Sequence, residues 1–294
     1  MFVSFLWRFS QMAKKESYEF VRLVGDERRV GPTLASVSRH WRKGRECFLF
    51  LSPHDDDVII GGGLLIQELI REKVPVHLAV VTDGAMGYCS MKQKKTIAQI
   101  RAQETIDACR ILGIPQKNIH LLQFPDCQLA NFMGRRPAVE NDPAVIEGFT
   151  GLQNAFTALL RKVQPTQVFL PTNTDIHPDH RIVHSELLIS AFHSSGDIWP
   201  ELGETLKDTP YIHEMAIYCN FPTRPKLRLT APLGVLENKL RAIAAFKSQK
   251  QIKSLVNIIR HGGPLEYFRP VEFQLYHPHI YRDQFEETPM ANLF

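Results

Sequence analysis

Residues 47–73, CFLFLSPHDDDVIIGGGLLIQELIREK, decide the fold. Cys47–Leu51 is apolar without interruption, the pattern of a strand buried on both faces rather than of one with a wet side. The run breaks at Ser52-Pro53 into His54, Asp55, Asp56 and Asp57. From Gly61 to Lys73 the apolar spacing becomes helical. A buried strand, a polar turn and a helix form the first half of a βαβ unit.

Working outward, the same alternation repeats. Val76–Thr82 is a second buried strand and ends at Asp83-Gly84. Thr96–Leu112 is an amphipathic helix closed by Gly113. Asn118–Gln123 is a third strand, stopped by Phe124-Pro125-Asp126, and a helix follows near Pro143–Val163. Gln167–Leu170 is the fourth strand, with a helix from about Asp179 to Phe192. This order predicts an α/β domain with a mostly parallel sheet, helices on its faces and right-handed crossovers.

The remainder is less regular. Glu214–Tyr218 reads as a strand, and Leu233–Lys247 and Ile252–Arg260 as helices. Residues 1–44 are charged and lack a period, so they read as an N-terminal extension with helix around Tyr18–Leu23 or Leu34–Trp41. The expected organisation is a single domain over 45–275 with a tail over 276–294.

Composition narrows the function. A 294-residue chain with 44% hydrophobic and 22% charged residues is that of an ordinary globular protein. Its net charge of +4 is small. With no tight Lys/Arg patch between aromatics, a nucleic-acid partner is not expected. The five cysteines are widely spaced and form no C-x-x-C pair. Neither a disulfide framework nor a cysteine zinc site follows, and a reducing, cytoplasmic location is expected. The opening MFVSFLWRF is too short and too interrupted by Arg8 for a signal or a spanning helix, so no transmembrane segment is expected.

In open parallel sheets, ligands bind beyond the carboxyl ends of the strands. His54–Asp57, Asp83, Asp126 and Asp175–His180 each follow one of the four strands, so acids and histidines gather at one sheet edge. An acidic trio can merely cap a helix, and His-Pro-Asp-His can be a turn into one. Both motifs at the same edge favour chemistry instead. A catalytic zinc takes three His or carboxylate ligands and leaves a position for water, and His54, Asp57 and His180 supply such a set. A metal of this kind polarises a carbonyl and acidifies water. Asp56 is then the natural general base. His177 stabilises an oxyanion or protonates a leaving amine, and Asp179 orients a histidine. Gly61–Gly63 lacks the dinucleotide fingerprint and is expected to allow close approach of helix and metal loop.

Together these motifs resemble the PIG-L/LmbE-like de-N-acetylases. The resemblance rests on Pro53–Asp57 with Gly61-Gly62, Thr82-Asp83-Gly84, Arg101 and Glu104, Pro125-Asp126, and His177–His180. Ser248-Gln249 and Glu266-Tyr267-Phe268 add to it, and it spans about residues 45–275. It implies a Rossmann-like fold and hydrolysis of the N-acetyl group of a GlcNAc-containing small molecule or glycolipid. It implies zinc, or another divalent metal such as Fe2+, held by His54, Asp57 and His180, with Asp56 as base and His177 as acid or electrostatic partner. Homo-oligomers occur in the family, and nothing in this sequence fixes a number. The chain departs from the pattern at Asp55, where proline is common, and at Val58, where glutamate is. Asp55 therefore competes with Asp56 for the role of base.

Specificity belongs to the loops above the sheet edge. Asp83 and Asp126 are candidate substrate contacts. Arg135 and Arg136, with Lys92, Lys94 and Lys95, are candidates for an anionic aglycone. Two other readings stay open: an amidase on a thiol conjugate or other amide, and a catalytically silent sugar- or metal-binding protein.

Overall fold

The computed structural model describes residues 17–38, 40–273 and 276–285. Its centre is a nine-stranded sheet in the order β2-β1-β10-β11-β9-β8-β3-β4-β5. The strands are β1 (Glu19–Val24), β2 (Glu27–Gly31), β3 (Phe48–Ser52), β4 (Val76–Thr82), β5 (Ile119–Phe124), β8 (Gln167–Pro171), β9 (Tyr211–Met215), β10 (Leu227–Thr230) and β11 (Leu265–Pro270). The two-residue strands β6 (Arg136–Pro137) and β7 (Phe149–Thr150) form a separate ribbon. From β9 to β5 every pairing is parallel. From β11 to β2 every pairing is antiparallel.

The helices are α1 (Leu34–Val37), α2 (Asp57–Arg71), α3 (Ile97–Leu112), α4 (Leu152–Val163), α5 (Pro178–Ser195), α6 (Leu233–Ile243), α7 (Ile252–Gly262) and α8 (Arg282–Phe285). One sheet face carries Phe48, Phe50, Leu78, Phe169, Met215 and Phe268 against a core that includes Ile59 and Leu65 of α2 and Leu240 of α6. The other face carries Leu49, Leu51, Val81, Val168 and Leu170 against Phe156 of α4 and Val183 of α5. The unbroken apolar run thus has its cause: every residue of β3 is buried, alternately in two cores.

Connectivity sets where a ligand goes. After β3 the chain adds β4 and β5 on one side, then crosses back to place β8 and β9 on the other. The crevice at a reversal of this kind lies between β3 and β8, beyond their carboxyl ends. His54–Asp57 and Asp175–His180 leave those two strands.

Several expectations change. Residues 18–23 are not helical; most of them form β1, whose Phe20 and Val21 are buried between the ladders to β2 and β10. Partners some two hundred positions away override local propensity. A domain boundary at 44/45 therefore does not separate this hairpin from the rest. Among the described residues of the stretch 34–41, helix is confined to α1, with Thr33 and Ser36 forming a capping box. Helix α4 starts only at Leu152, behind Gly151 at φ +110°. The strand expected at Glu214–Tyr218 lies earlier, at Tyr211–Met215. The expectation for residues 1–9 lies outside the described residues. No helix among the described residues is long and apolar enough to cross a membrane.

The glycine run also has a different neighbour from the one expected. A Cβ on Gly61 would lie 2.7 Å from Ile217 Cδ1 and 3.0 Å from Met215 Cβ, and one on Gly63 3.1 Å from Lys239 Cγ. The glycines let α2 press onto the β9 region and α6 rather than onto the metal loop.

Candidate active site

The turn after β3 folds back on itself. Asp57 Oδ2 accepts the His54 backbone N–H at 2.9 Å, while buried Ser52 Oγ accepts the N–H of Val58. This brings the His54 ring over the first residue of α2, where a carboxylate also faces the positive end of the helix. From β8, Asp175 Oδ1 accepts the His177 N–H, and His177 Nδ1 accepts the Asp179 N–H as the cap of α5. The first turn of α5 then turns His180 inward, fully buried.

Three ligand atoms converge there. His54 Nδ1 lies 3.2 Å from Asp57 Oδ2 and 3.2 Å from His180 Nε2, and His180 Nε2 lies 3.0 Å from Asp57 Oδ2. Ligands of a tetrahedral zinc with bonds near 2.0–2.1 Å stand about 3.3 Å apart, so this triangle fits such an ion. Asp57 Oδ1 is buried without a hydrogen-bond partner, which leaves it open to a cation. His177 also offers a ring nitrogen within 4.8 Å of those of His54 and His180. Asp57 is the closer third donor, and His177 Nδ1 is already engaged by the backbone.

The surrounding charges agree. Burial disfavours a charged His54, yet the nearby carboxylates of Asp126, Asp179 and Asp57 raise its pKa well above the usual value. His180 is raised too, its burial outweighed chiefly by Asp57. Burial would lift Asp57, but His180 and His54 hold it well below the carboxylate range. A negative potential that draws protons onto imidazoles also favours a divalent cation. Each histidine is backed by a carboxylate, as metal ligands commonly are. Asp175 Oδ2 lies 3.3 Å from His180 Nδ1, and Asp126 Oδ1 and Asp179 Oδ2 lie 3.3 and 3.5 Å from His54 Nε2.

The three consecutive aspartates part ways. Asp55 pairs with Arg101 of α3 at 2.6 Å, both buried, and Arg101 also donates to the Gly87 carbonyl. Asp56 Oδ2 accepts from Gln249 Nε2 at 2.8 Å. Asp57 meets the histidines. Burial pushes Asp56 up to about 7, helped by the charges of Asp55 and Asp57 and opposed by Gln249. The ambiguity between Asp55 and Asp56 is thereby reduced, because Asp55 is committed to a guanidinium that does not give up its proton. Glu104, one turn beyond Arg101, accepts from the Ser248 N–H and Oγ and so fixes the residue before Gln249. Motif fragments that are weak alone prove to be one network around the trio.

A cavity of about 460 Å³ is lined by His54, Asp55, Asp56, Asp126, His177 and Gln249 among others, with Ser254, Leu255 and Ile258 from α7, while Asp57 and His180 are buried behind it. Asp83 is near it but serves the fold, its Oδ1 accepting the N–H groups of Ala85 and Asp126. Arg135 and Arg136 do not line it. Arg135 bonds Asn154 and Glu201 beneath the rings of Phe149 and Trp199, and Arg136 forks onto Asp142. Sequence reasoning left Asp175 without a role, and gave no sign that Gln249 touches Asp56. The only signal for Asp175 was its place at the end of β8.

Residues 49–191 match the PIG-L family, GlcNAc-PI de-N-acetylase. A probable N-acetyl-alpha-D-glucosaminyl L-malate deacetylase 2 of Bacillus cereus is 26% identical over 219 residues, covering 69% of this chain and 83% of that protein. The N,N'-diacetylchitobiose deacetylase from Pyrococcus horikoshii superposes with a TM-score of 0.59 at 24% identity, covering 86% of this chain and 90% of that one. A 4-carboxy-2-hydroxymuconate hydratase from Pseudomonas putida also reaches 0.59, at 16% identity over 79% of this chain and 98% of its own. One fold therefore serves both hydrolysis and hydration, and the chemistry must be argued from the site.

Proposed function

Since residues 49–191 match the PIG-L family, we propose that the chain is a divalent-metal-dependent hydrolase that removes the N-acetyl group from a GlcNAc-containing conjugate. The observation that carries this reading is the convergence of His54 Nδ1, Asp57 Oδ2 and His180 Nε2, with His54 and Asp56 lining one cavity. Zinc suits two imidazoles and one carboxylate, and Fe2+ accepts the same donors. When bound, the ion supplies Lewis-acid polarisation of the acyl carbonyl and acidifies water.

The chain's own groups supply the rest. Asp56 takes the proton of the attacking water; its raised pKa places it in the range where a carboxylate serves as base and then as acid. Gln249 occupies Asp56 Oδ2, leaving Oδ1 for that proton. His177 Nδ1 accepts a backbone N–H, so the neutral ring carries its proton on Nε2. Burial and the neighbouring histidines lower the pKa of His177, which favours this neutral form. His177 is thus suited to donate a hydrogen bond to the developing oxyanion. The free cysteines are consistent with a cytoplasmic location.

An acidic aglycone held by Arg135 and Arg136 is not part of this reading, because both guanidinia are committed elsewhere. The test is acetate release from a panel of GlcNAc conjugates, including the malate conjugate and diacetylchitobiose, with metal content measured in parallel. Wild type is expected to load one ion and release acetate. Asp56→Asn should keep the ion and lose release. Full metal loading with no release from any conjugate overturns the reading, as does an unimpaired Asp56→Asn enzyme.

A further inference from the structure

The catalytic cavity has two unlike walls. His54 contacts both Asp126 and His177, and the three form a polar wall that can serve the hydroxyl groups of a sugar. An apolar wall is formed by Ile60 of α2, Ile217 after β9, and Leu255 and Ile258 of α7. Ile60, Ile217 and Leu255 all pack against the core that α2 shares with α6. Ile258 follows Leu255 on the same face of its helix and is 65% exposed. This wall adjoins the proposed base. Ile60 stands one helical turn after Asp56, donating its N–H to the Asp56 carbonyl at 3.0 Å, and Gln249, which bonds the Asp56 side chain, stands just before α7.

Apolar surface continues past Ile60. A second cavity, of about 650 Å³, shares that side chain with the first. The loop after β9 lines both, with Ile217 and Tyr218 at the first and residues 216 and 220–225 at the second. Phe221, Pro222, Pro225, Leu265 and Tyr267 give the second cavity flat apolar walls. Its charged members are Arg224 and Glu266, and Glu266 is already held by Lys239 and two backbone N–H groups. None of the residues assigned to the reaction lines it.

A hexosamine carries hydroxyl groups around its ring, and an apolar wall leaves each of them without a hydrogen bond. The apolar part of an N-acylated sugar is its acyl group, and the single methyl of an acetyl cannot cover four branched side chains. We propose that the apolar wall and the cavity beyond Ile60 form an acyl channel, through which the enzyme binds and releases acyl chains longer than acetyl from an N-acylated amino sugar. The inference rests on the deacetylase reading and extends it to longer acyl groups. The step is the same hydrolysis. The oxygen of water joins the acyl carbon, the C–N bond breaks, and the nitrogen takes both of water's protons, giving a carboxylate and the ammonium of the sugar.

The experiment compares N-acetyl-, N-butanoyl-, N-hexanoyl- and N-octanoylglucosamine as substrates of the metal-loaded full chain, with release of the free amine as the signal. kcat/KM is expected to rise about threefold per added methylene, mostly through KM, because the chain binds away from the reacting bond. The double variant Leu255→Asn/Ile258→Asn should lower the octanoyl-to-acetyl ratio about tenfold or more, and the ratio cancels any general loss of activity. Phe221→Ser, in the second cavity, should lower the octanoyl-to-hexanoyl ratio and spare the butanoyl-to-acetyl one. Turnover of the acetyl compound with a flat or falling series overturns the acyl channel alone. So does a series that rises unchanged in either variant. A gain confined to the octyl glycoside of N-acetylglucosamine also overturns it, because the wall then holds the aglycone. Release from no member of the series, acetyl included, overturns the deacetylase reading and the channel with it.

Discussion

Helix α2 carries two buried clusters of charge that differ in one respect. At its start, Asp57 meets His54 and His180 and leaves Oδ1 without a partner. Midway along, Glu266 accepts the N–H groups of Leu64 and Leu65 and the ammonium of Lys239 at 2.7–3.0 Å. Both clusters are almost fully buried. The second closes on itself and holds β11 and α6 to the helix. The first leaves a buried carboxylate oxygen without a partner beside two histidines, and in the proposed reading a cation meets it. Burial of charge is thus no guide to function by itself; a buried carboxylate oxygen left without a hydrogen bond is the better pointer.

The largest effects should separate the two clusters. His180→Ala removes a proposed ligand, and the expected result is loss of the bound ion and at least about a thousandfold loss of acetate release, with the fold retained. Metal analysis and circular dichroism read both; full occupancy in this variant would disqualify His180 as a ligand. Lys239→Met should do the reverse. It strands Glu266 without its cation, costing about 3–5 kcal/mol in urea unfolding, while the remaining folded enzyme keeps its ion and turnover. Adding Glu266→Gln should recover part of that loss.

A third buried group tests the scaffold by pH. His213, stacked on Phe169 and bonded to Gln167, is lowered to about 3 by burial. The unfolded chain binds this proton near pH 6.5 and the folded chain does not. Stability is therefore full above pH 6.5 and falls as the pH drops toward 3, by about 2 kcal/mol between pH 7 and 5. His213→Gln should flatten that slope in unfolding curves taken at the two pH values. An unchanged slope would assign the acid sensitivity to other groups.

Gln249→Ala should cost less, about tenfold in kcat with KM and metal content unchanged, because it frees Asp56 to rotate without removing it. Gln249→Asn, too short to reach, should not rescue. A parallel rise in KM would instead make Gln249 a substrate contact.

How much of this was legible in the sequence follows from where the partners lie. Parallel strands announce themselves as unbroken apolar runs, and β3, β4, β5 and β8 were read within a residue or so. The antiparallel half was not. Its β1 pairs with β10 through Arg22 and Leu227, and charged residues interrupt each short strand. The candidate ligands are near one another in sequence or in a recognisable motif, so their types and spacing sufficed. Asp55 bonding Arg101 and Asp56 bonding Gln249 depend on contacts across 46 and 193 positions, which no local pattern encodes.

The smallest expected effect sharpens the contrast from the other side. Sequence alone made Arg136 a candidate anchor for an anionic aglycone, but its guanidinium forks onto both oxygens of Asp142, at 2.7 and 2.8 Å, away from the cavity. A cation whose charge is already matched has little left to offer a second anion, and an exposed pair of this kind contributes little to folding. Arg136→Ala should therefore leave KM for an anionic conjugate within about twofold of wild type, with no change in its salt dependence. A KM raised about fivefold or more would mean that the loop from Cys127 to Asp142 abandons Asp142 and closes over the substrate. The distinction drawn for α2 would then extend to surface charge: a satisfied ion pair would be a resting state rather than a structural endpoint.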